Sequence, residues 1–175
     1  MVEPATLGTF SCVKKTRLDG FLTAQAPTLH EARLGLTGVV FHQQFEGPVG
    51  YFTLANDAIK LNDSEKFELG FGEQVELAAF PAVKIGRLAV HQDLHRKGVG
   101  VVLMTLLLGD ILNTAGLSAA RLIVVDADND DAVLRFYEKL GFETSLWAEE
   151  MARNHTKKRA KPQTIKMHRD VFKGL

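Results

Sequence analysis

The stretch Ile85-Gly-Arg-Leu-Ala-Val-His-Gln-Asp-Leu-His-Arg-Lys-Gly-Val-Gly100 holds the residues best suited to chemistry. An apolar, strand-like run ends in a polar loop, and Gly98-Val99-Gly100 then opens a long apolar helix. Glycines let a backbone approach a ligand closely, and a helix start presents unpaired N–H groups and a positive dipole end. Together they make an anion cradle suited to the pyrophosphate of a nucleotide cofactor. A dinucleotide fingerprint is the rival reading, with Gly98-x-Gly100-x-x-Leu103 and Asp126 after the next strand. Against it, the loop His91 to Lys97 separates strand from glycines, and Leu103 is too large for the close helix–strand packing that fingerprint needs. A P-loop is excluded because no Gly-Lys-Ser/Thr follows. His91 and His95 lie four apart, but on a strand end and a loop with no third ligand evident, so no metal is assigned.

The elements that must position this loop follow from periodicity. Leu18, Phe21, Leu22 and Ala26 recur at helical spacing up to Pro27, and a second helical stretch covers Thr28 to Leu36. Thr37 to Phe45 and Val49 to Ala55 read as a hairpin around Glu46-Gly47-Pro48. Ala58 to Leu61 and Val75 to Ala79 look like strand pieces around a polar excursion, Asn62 to Glu73. Then come a strand at Ile85 to Val90, a helix from Gly98 to Ala115 and a doubly buried strand at Arg121 to Asp126. A helix at Asp128 to Leu140 stops at Gly141, and Phe142 starts another strand. The class is α/β: a mixed sheet with an antiparallel first half and a parallel βαβ unit in the second.

At 175 residues the chain is expected to form one domain, residues 1–175, with a core that needs no disulfide or metal. A lone cysteine, Cys12, fits a reducing compartment. No apolar run reaches the roughly 18 residues of a membrane span and the N-terminus does not read as a secretory signal, so a cytoplasmic location is expected. The zero net charge hides an asymmetry. From Met151 to Leu175 eight basic residues face one acid, a net of +7, which leaves −7 on the rest. That segment reads as a solvated tail, a lysine-guarded strand edge, or a patch that meets phosphate.

Arg87-Leu-Ala-Val90, His95-Arg-Lys-Gly-Val-Gly100, Val125-Asp-Ala127 and Phe136-Tyr-Glu-Lys-Leu-Gly-Phe142 together resemble the GNAT acyltransferase superfamily. The resemblance implies the GNAT fold, with central parallel strands splayed around acetyl-CoA as cofactor. It implies that the backbone of Leu88, Ala89 and Val90 holds the pantetheine arm and acetyl carbonyl. The pyrophosphate would fall to the loop His95, Arg96, Lys97, Gly98, Val99, Gly100 and Val101. Asn129 and Phe136 would line the pantetheine, and Tyr137 would be the catalytic acid for the departing thiolate. A phenol of ordinary pKa, about 10, is protonated at neutral pH and suits that role. This chain departs from the usual pattern at His95, where Gln or Arg is usual, at Arg96, where a small residue is common, and by one extra residue before Phe136.

The first half resembles a narrower group. Phe10-Ser-Cys-Val-Lys-Lys-Thr-Arg-Leu-Asp-Gly-Phe-Leu22, Gly50-Tyr-Phe-Thr-Leu-Ala55 and Phe80-Pro-Ala-Val-Lys-Ile-Gly-Arg-Leu-Ala-Val90 are similar to the GNAT toxins of type II toxin–antitoxin systems. That implies acetylation of the α-amino group of aminoacyl-tRNA and a ribbon-helix-helix antitoxin as partner. An α-amino group, with a pKa near about 8, is partly neutral at pH 7 and needs no strong base, and the sequence offers no convincing one. Lys157, Lys158, Arg159 and Lys161 are the candidates for RNA contact. The alternatives are acetylation of a small amine, polyamine or protein N-terminus, or a non-catalytic acetyl-CoA-binding module. A homodimer is compatible with each.

Overall fold

The computed structural model describes Leu7 and residues 9–12, 16–113, 119–155 and 161–173. Along the chain run α1 (Thr16–Ala24), α2 (Ala26–Glu31), β1 (Leu36–Phe41), β2 (Pro48–Ile59), α3 (Asp63–Glu68), β3 (Phe80–Val90), α4 (Val99–Asn113), β4 (Leu122–Asp128), α5 (Asp131–Lys139), β5 (Glu143–Thr144), α6 (Leu146–His155) and β6 (Thr164–Asp170). The strands hydrogen-bond in the order β1-β2-β3-β4-β6-β5. Only β3 and β4 run parallel, joined through α4, and the other pairs are antiparallel. The expected mixed α/β sheet is therefore present.

The chain divides into two compact units, residues 1–55 with 85–114 and residues 56–84 with 115–175. In the first, β1 and β2 form the hairpin, with Val39 opposite Tyr51 and an irregularity after Val40. Phe10, Cys12, Phe21, Leu22, Ala26, Tyr51 and Ala89 bury one another. Tyr51 stacks on Phe21 and donates its hydroxyl to the Leu18 carbonyl at 2.8 Å, so the one polar atom of that buried ring is satisfied. Burial pushes its phenol well above the ordinary value. Gly50 is required by space, because a Cβ there would lie 2.5 Å from the Leu103 side chain and 2.6 Å from the Ala89 carbonyl.

In the second unit Ile59, Leu61, Phe80, Ala82, Leu122 and Val124 make the core. β4 pairs with β6 in unbroken register from Leu122 opposite Asp170 to Asp128 opposite Thr164. Glu65 is the polar hub. It closes a capping box with Asn62, and its carboxylate also accepts the N–H groups of Leu146 and Trp147 at the start of α6. His168 Nε2 lies 3.3 Å from the same carboxylate, with both side chains buried.

Several sequence expectations need correction. The first helix, α1, does end before Pro27, at Ala24, but Pro27 itself sits in the first turn of α2, where its missing N–H costs nothing, and α2 stops at Glu31, short of the expected Leu36. Val75 to Ala79 is not a strand; the polar excursion before it contains α3, and the next strand starts at Phe80. Among the described residues of the basic segment, 151–155 belong to α6 and the run from 164 is not a sheet edge. Thr164 to Asp170 is an internal strand of the sheet, flanked by β4 and β5.

Candidate active site

Val90 ends β3, and the chain turns through a 3-10 segment, Gln92–Leu94. Arg96 and Gly98 then take positive φ angles of 59° and 79°. At Gly98 the requirement is conformational, since a Cβ there would meet nothing within 4 Å. The amides of His95, Lys97 and Val101 are spent on the carbonyls of Gln92, Leu94 and Gly98. Those of Arg96, Gly98, Val99 and Gly100 bond to nothing among the described residues. Four unspent N–H groups, the positive end of a 15-residue helix, and the exposed Arg96 and Lys97 side chains make an anion site. Of the seven amides from His95 to Val101 expected to cradle a pyrophosphate, four are free to do so.

His95 turns back to the strand. Its Nε2 lies 2.9 Å from the Val90 carbonyl, which makes this nitrogen the protonated one, and 3.8 Å from Cys12 Sγ. The imidazole thus ties the anion loop to the end of β3 and to the N-terminal segment. His91 is held edge-on between Phe10 and Phe45, with its Nδ1 accepting the Asp93 amide at 3.3 Å. The two histidines face different partners. On β3 itself Leu88 and Val90 are half-buried, whereas Ala89 is a core residue that can offer a ligand only its backbone.

In the second unit Asp130 caps α5, accepting the amides of Ala132 and Val133. Tyr137 lies on that helix in edge contact with Phe136 at 5.2 Å and Phe142 at 5.4 Å. Burial pushes its phenol up to about 12, so it keeps its proton at every ordinary pH. Its hydroxyl has no hydrogen-bond partner among the described residues and is a free donor. Asn129 is differently employed from expectation: its Nδ2 donates to the Pro162 carbonyl at 2.8 Å, fastening the segment before β6. Lys161 is exposed, and Lys157, Lys158 and Arg159 lie outside the described residues.

Neither prominent carboxylate of the second unit lacks partners. Both Glu65 oxygens are engaged as described above. For Asp126, burial would raise the pKa, but the ammonium groups of Lys84 and Lys166 outweigh it and hold the carboxyl below its usual range. Two features of the first unit were not singled out in the sequence. One is the Cys12–His95–Val90 link. The other is Arg87, whose guanidinium lies 3.5 Å over the Phe21 ring.

Residues 40–144 match the family model of the acetyltransferase (GNAT) domain. The chain belongs to that family. A GNAT acetyltransferase takes its acyl group from acetyl-CoA, and the unspent amides at the start of α4 fit the pyrophosphate of that molecule. No curated protein sequence matches the chain. Among solved structures it is similar to AtaT complexed with acetyl-methionyl-tRNAfMet, at 18% identity and a TM-score of 0.72, covering 94% of this chain and 87% of that one. A tyrosine-to-phenylalanine mutant of KacT is similar at 16% identity and a TM-score of 0.73, covering 98% and 92%. A mutant AtaT toxin bound to the C-terminus of the antitoxin AtaR and acetyl-CoA is similar at 18% identity and a TM-score of 0.65, covering 94% and 85%. Among the described residues no helix is long and apolar enough to cross a membrane.

Proposed function

We propose that residues 1–175 act as a single GNAT N-acetyltransferase that acetylates the α-amino group of aminoacyl-tRNA. The observation that carries the acetyl-CoA half is the set of unpaired amides at Arg96, Gly98, Val99 and Gly100, which are free to donate to the oxygens of an anion. Support for the acceptor comes from likeness over nearly the whole chain to AtaT, a protein solved with acetyl-methionyl-tRNAfMet. The family match at residues 40–144 takes in parts of both compact units, in keeping with one working domain.

When bound, acetyl-CoA supplies an acyl group activated as a thioester. This chain's part is to bind, orient and hand over protons. The loop amides with Arg96 and Lys97 would hold the pyrophosphate, and the β3 backbone from Leu88 to Val90 would align the pantetheine arm and offer N–H to the acyl oxygen. His95 keeps the loop and the strand end in a fixed relation. Tyr137 would supply its phenolic proton to the departing thiolate. The acceptor amine needs only water to lose its proton, because its pKa of about 8 leaves a useful neutral fraction at pH 7.

A ribbon-helix-helix antitoxin is the partner this reading calls for, and the basic residues Lys157, Lys158, Arg159 and Lys161 are its candidates for contact with tRNA phosphates. The test is translation in a purified system. The chain plus acetyl-CoA should stop synthesis, and fresh charged tRNA supplied after its removal should restore it. Synthesis that continues unaffected with acetyl-CoA present would refute the substrate.

A further inference from the structure

Arg87 is a residue of the first unit whose chemistry the acetyl-CoA site leaves unused. It stands on β3, half-buried, with its guanidinium flat against Phe21 at 3.5 Å. Phe21 is itself buried and stacked on Tyr51, so the platform beneath the guanidinium is fixed. No hydrogen bond or ion pair engages Arg87 among the described residues, and none of its nitrogens is sealed from solvent. Asp19, the carboxylate of this cluster, is occupied by the Cys12 amide at 2.8 Å and makes no ion pair with Arg87. A Leu or Met would cover Phe21 as well. What arginine adds is a rigid, weakly hydrated fork of donors, the geometry that matches phosphate oxygens.

The spacing says which phosphate. Arg87 lies three residues before Val90, and at the rise of a strand that is roughly 10 Å. In an aminoacyl ester of a 3′-terminal nucleotide, eight bonds separate the amine from the phosphorus on the 5′ side of the same sugar, a reach of roughly 10 Å when extended. For an amine at the end of β3, that phosphodiester therefore comes within reach of the long Arg87 side chain. We infer that Arg87 is a substrate-binding residue that grips the phosphodiester of the acceptor's 3′-terminal nucleotide, with Phe21 holding its guanidinium in plane. The inference rests on the aminoacyl-tRNA reading above.

The test uses Arg87→Met, which keeps an apolar stem over Phe21, and Arg87→Lys, which keeps the charge without the fork. An uncharged fluorescent RNA hairpin with a single-stranded CCA end is titrated against each protein over a range of NaCl. Arg87→Met should bind roughly 10- to 100-fold more weakly, the loss of a charged hydrogen bond, and its slope of log K against log salt should fall by about one unit. Arg87→Lys should keep the slope but not the affinity. With charged tRNA the loss should appear in KM, while stabilisation by acetyl-CoA stays at the wild-type value and reports an intact fold. Wild-type affinity and slope in Arg87→Met would overturn the inference while leaving the tRNA reading in place. Arg87-dependent RNA binding without acetyl transfer to charged tRNA would do the reverse, since the phosphate contact would stand and the acceptor assignment fall.

Discussion

Replacing Glu65 by Gln removes one charge and changes almost no volume, so its effect measures the hub and nothing else. One carboxylate oxygen accepts from Asn62 N–H at 2.8 Å and Trp147 N–H at 3.2 Å. The other accepts from Leu146 N–H at 2.9 Å and faces His168 Nε2 at 3.3 Å. The residue is only 2% exposed, so water cannot replace a lost partner. Whichever way the carboxamide is turned, its NH2 leaves at least one buried backbone N–H unsatisfied, since only His168 can change tautomer to accept from it. Hydrogen bonds to a charged group contribute about 1.5–3 kcal/mol each, and with several of them on this carboxylate the expected loss is about 3–5 kcal/mol. With an m-value of about 2 kcal/mol/M in urea, the midpoint should fall by about 1.5–2.5 M at unchanged slope. Because the same carboxylate holds the first turn of α6, amide exchange at Leu146 and Trp147 should accelerate together. The double variant with His168→Gln should cost less than the sum of the two singles. A midpoint shift below about 0.5 M at unchanged slope would refute the hub.

Three further outcomes follow from the site and its surroundings. Tyr137→Phe should lower kcat by about 10²- to 10⁴-fold while acetyl-CoA still raises the thermal midpoint, and full turnover would remove the acid role. Gly98→Ala must hold an alanine at φ 79°, costing about 1–2 kcal/mol of stability and raising KM for acetyl-CoA; an unchanged KM would detach Gly98 from the cradle. Burial alone would raise the Asp170 pKa, but the Arg121 guanidinium at 2.8 Å outweighs it and holds the carboxyl below its usual range. Its stabilising contribution is therefore present above the unfolded value of about 4 and lost as pH falls through the folded one. Asp170→Asn should flatten that part of the acid limb of an unfolding-midpoint profile, and an identical profile would contradict it.

Where sequence spoke clearly, each residue's local environment matched its pattern. The run from Leu122 to Val125 is buried as its continuous apolar character requires, and Gly98 in the loop at 95–100 adopts the positive φ that a glycine permits, although Arg96 takes one as well. The failures came where tertiary partners decide. β6 carries Lys166, His168, Arg169 and Asp170, so it reads as a polar tail. In the fold Lys166 meets Asp126, His168 meets Glu65, and Asp170 meets Arg121. Each of these three pairings joins residues 40 or more positions apart, which no local window holds. α3 was hidden for a similar reason, because the Asn62–Glu65 capping box sits in a segment too short and polar for helical periodicity to register. Arg87 looked like part of a strand motif, and only its stacking on Phe21 with unspent donors distinguishes it.

The central claim is transfer of an acetyl group from acetyl-CoA to the amine of a charged tRNA. The most direct measurement incubates the protein with [14C]acetyl-CoA and parallel samples of aminoacyl-tRNA, deacylated tRNA, polyamines and peptides, then counts label in each acceptor. The account predicts label in the charged tRNA, released with the amino acid on mild alkaline hydrolysis, and background counts in deacylated tRNA. Label confined to polyamines or peptides, or background counts in every sample, would contradict it.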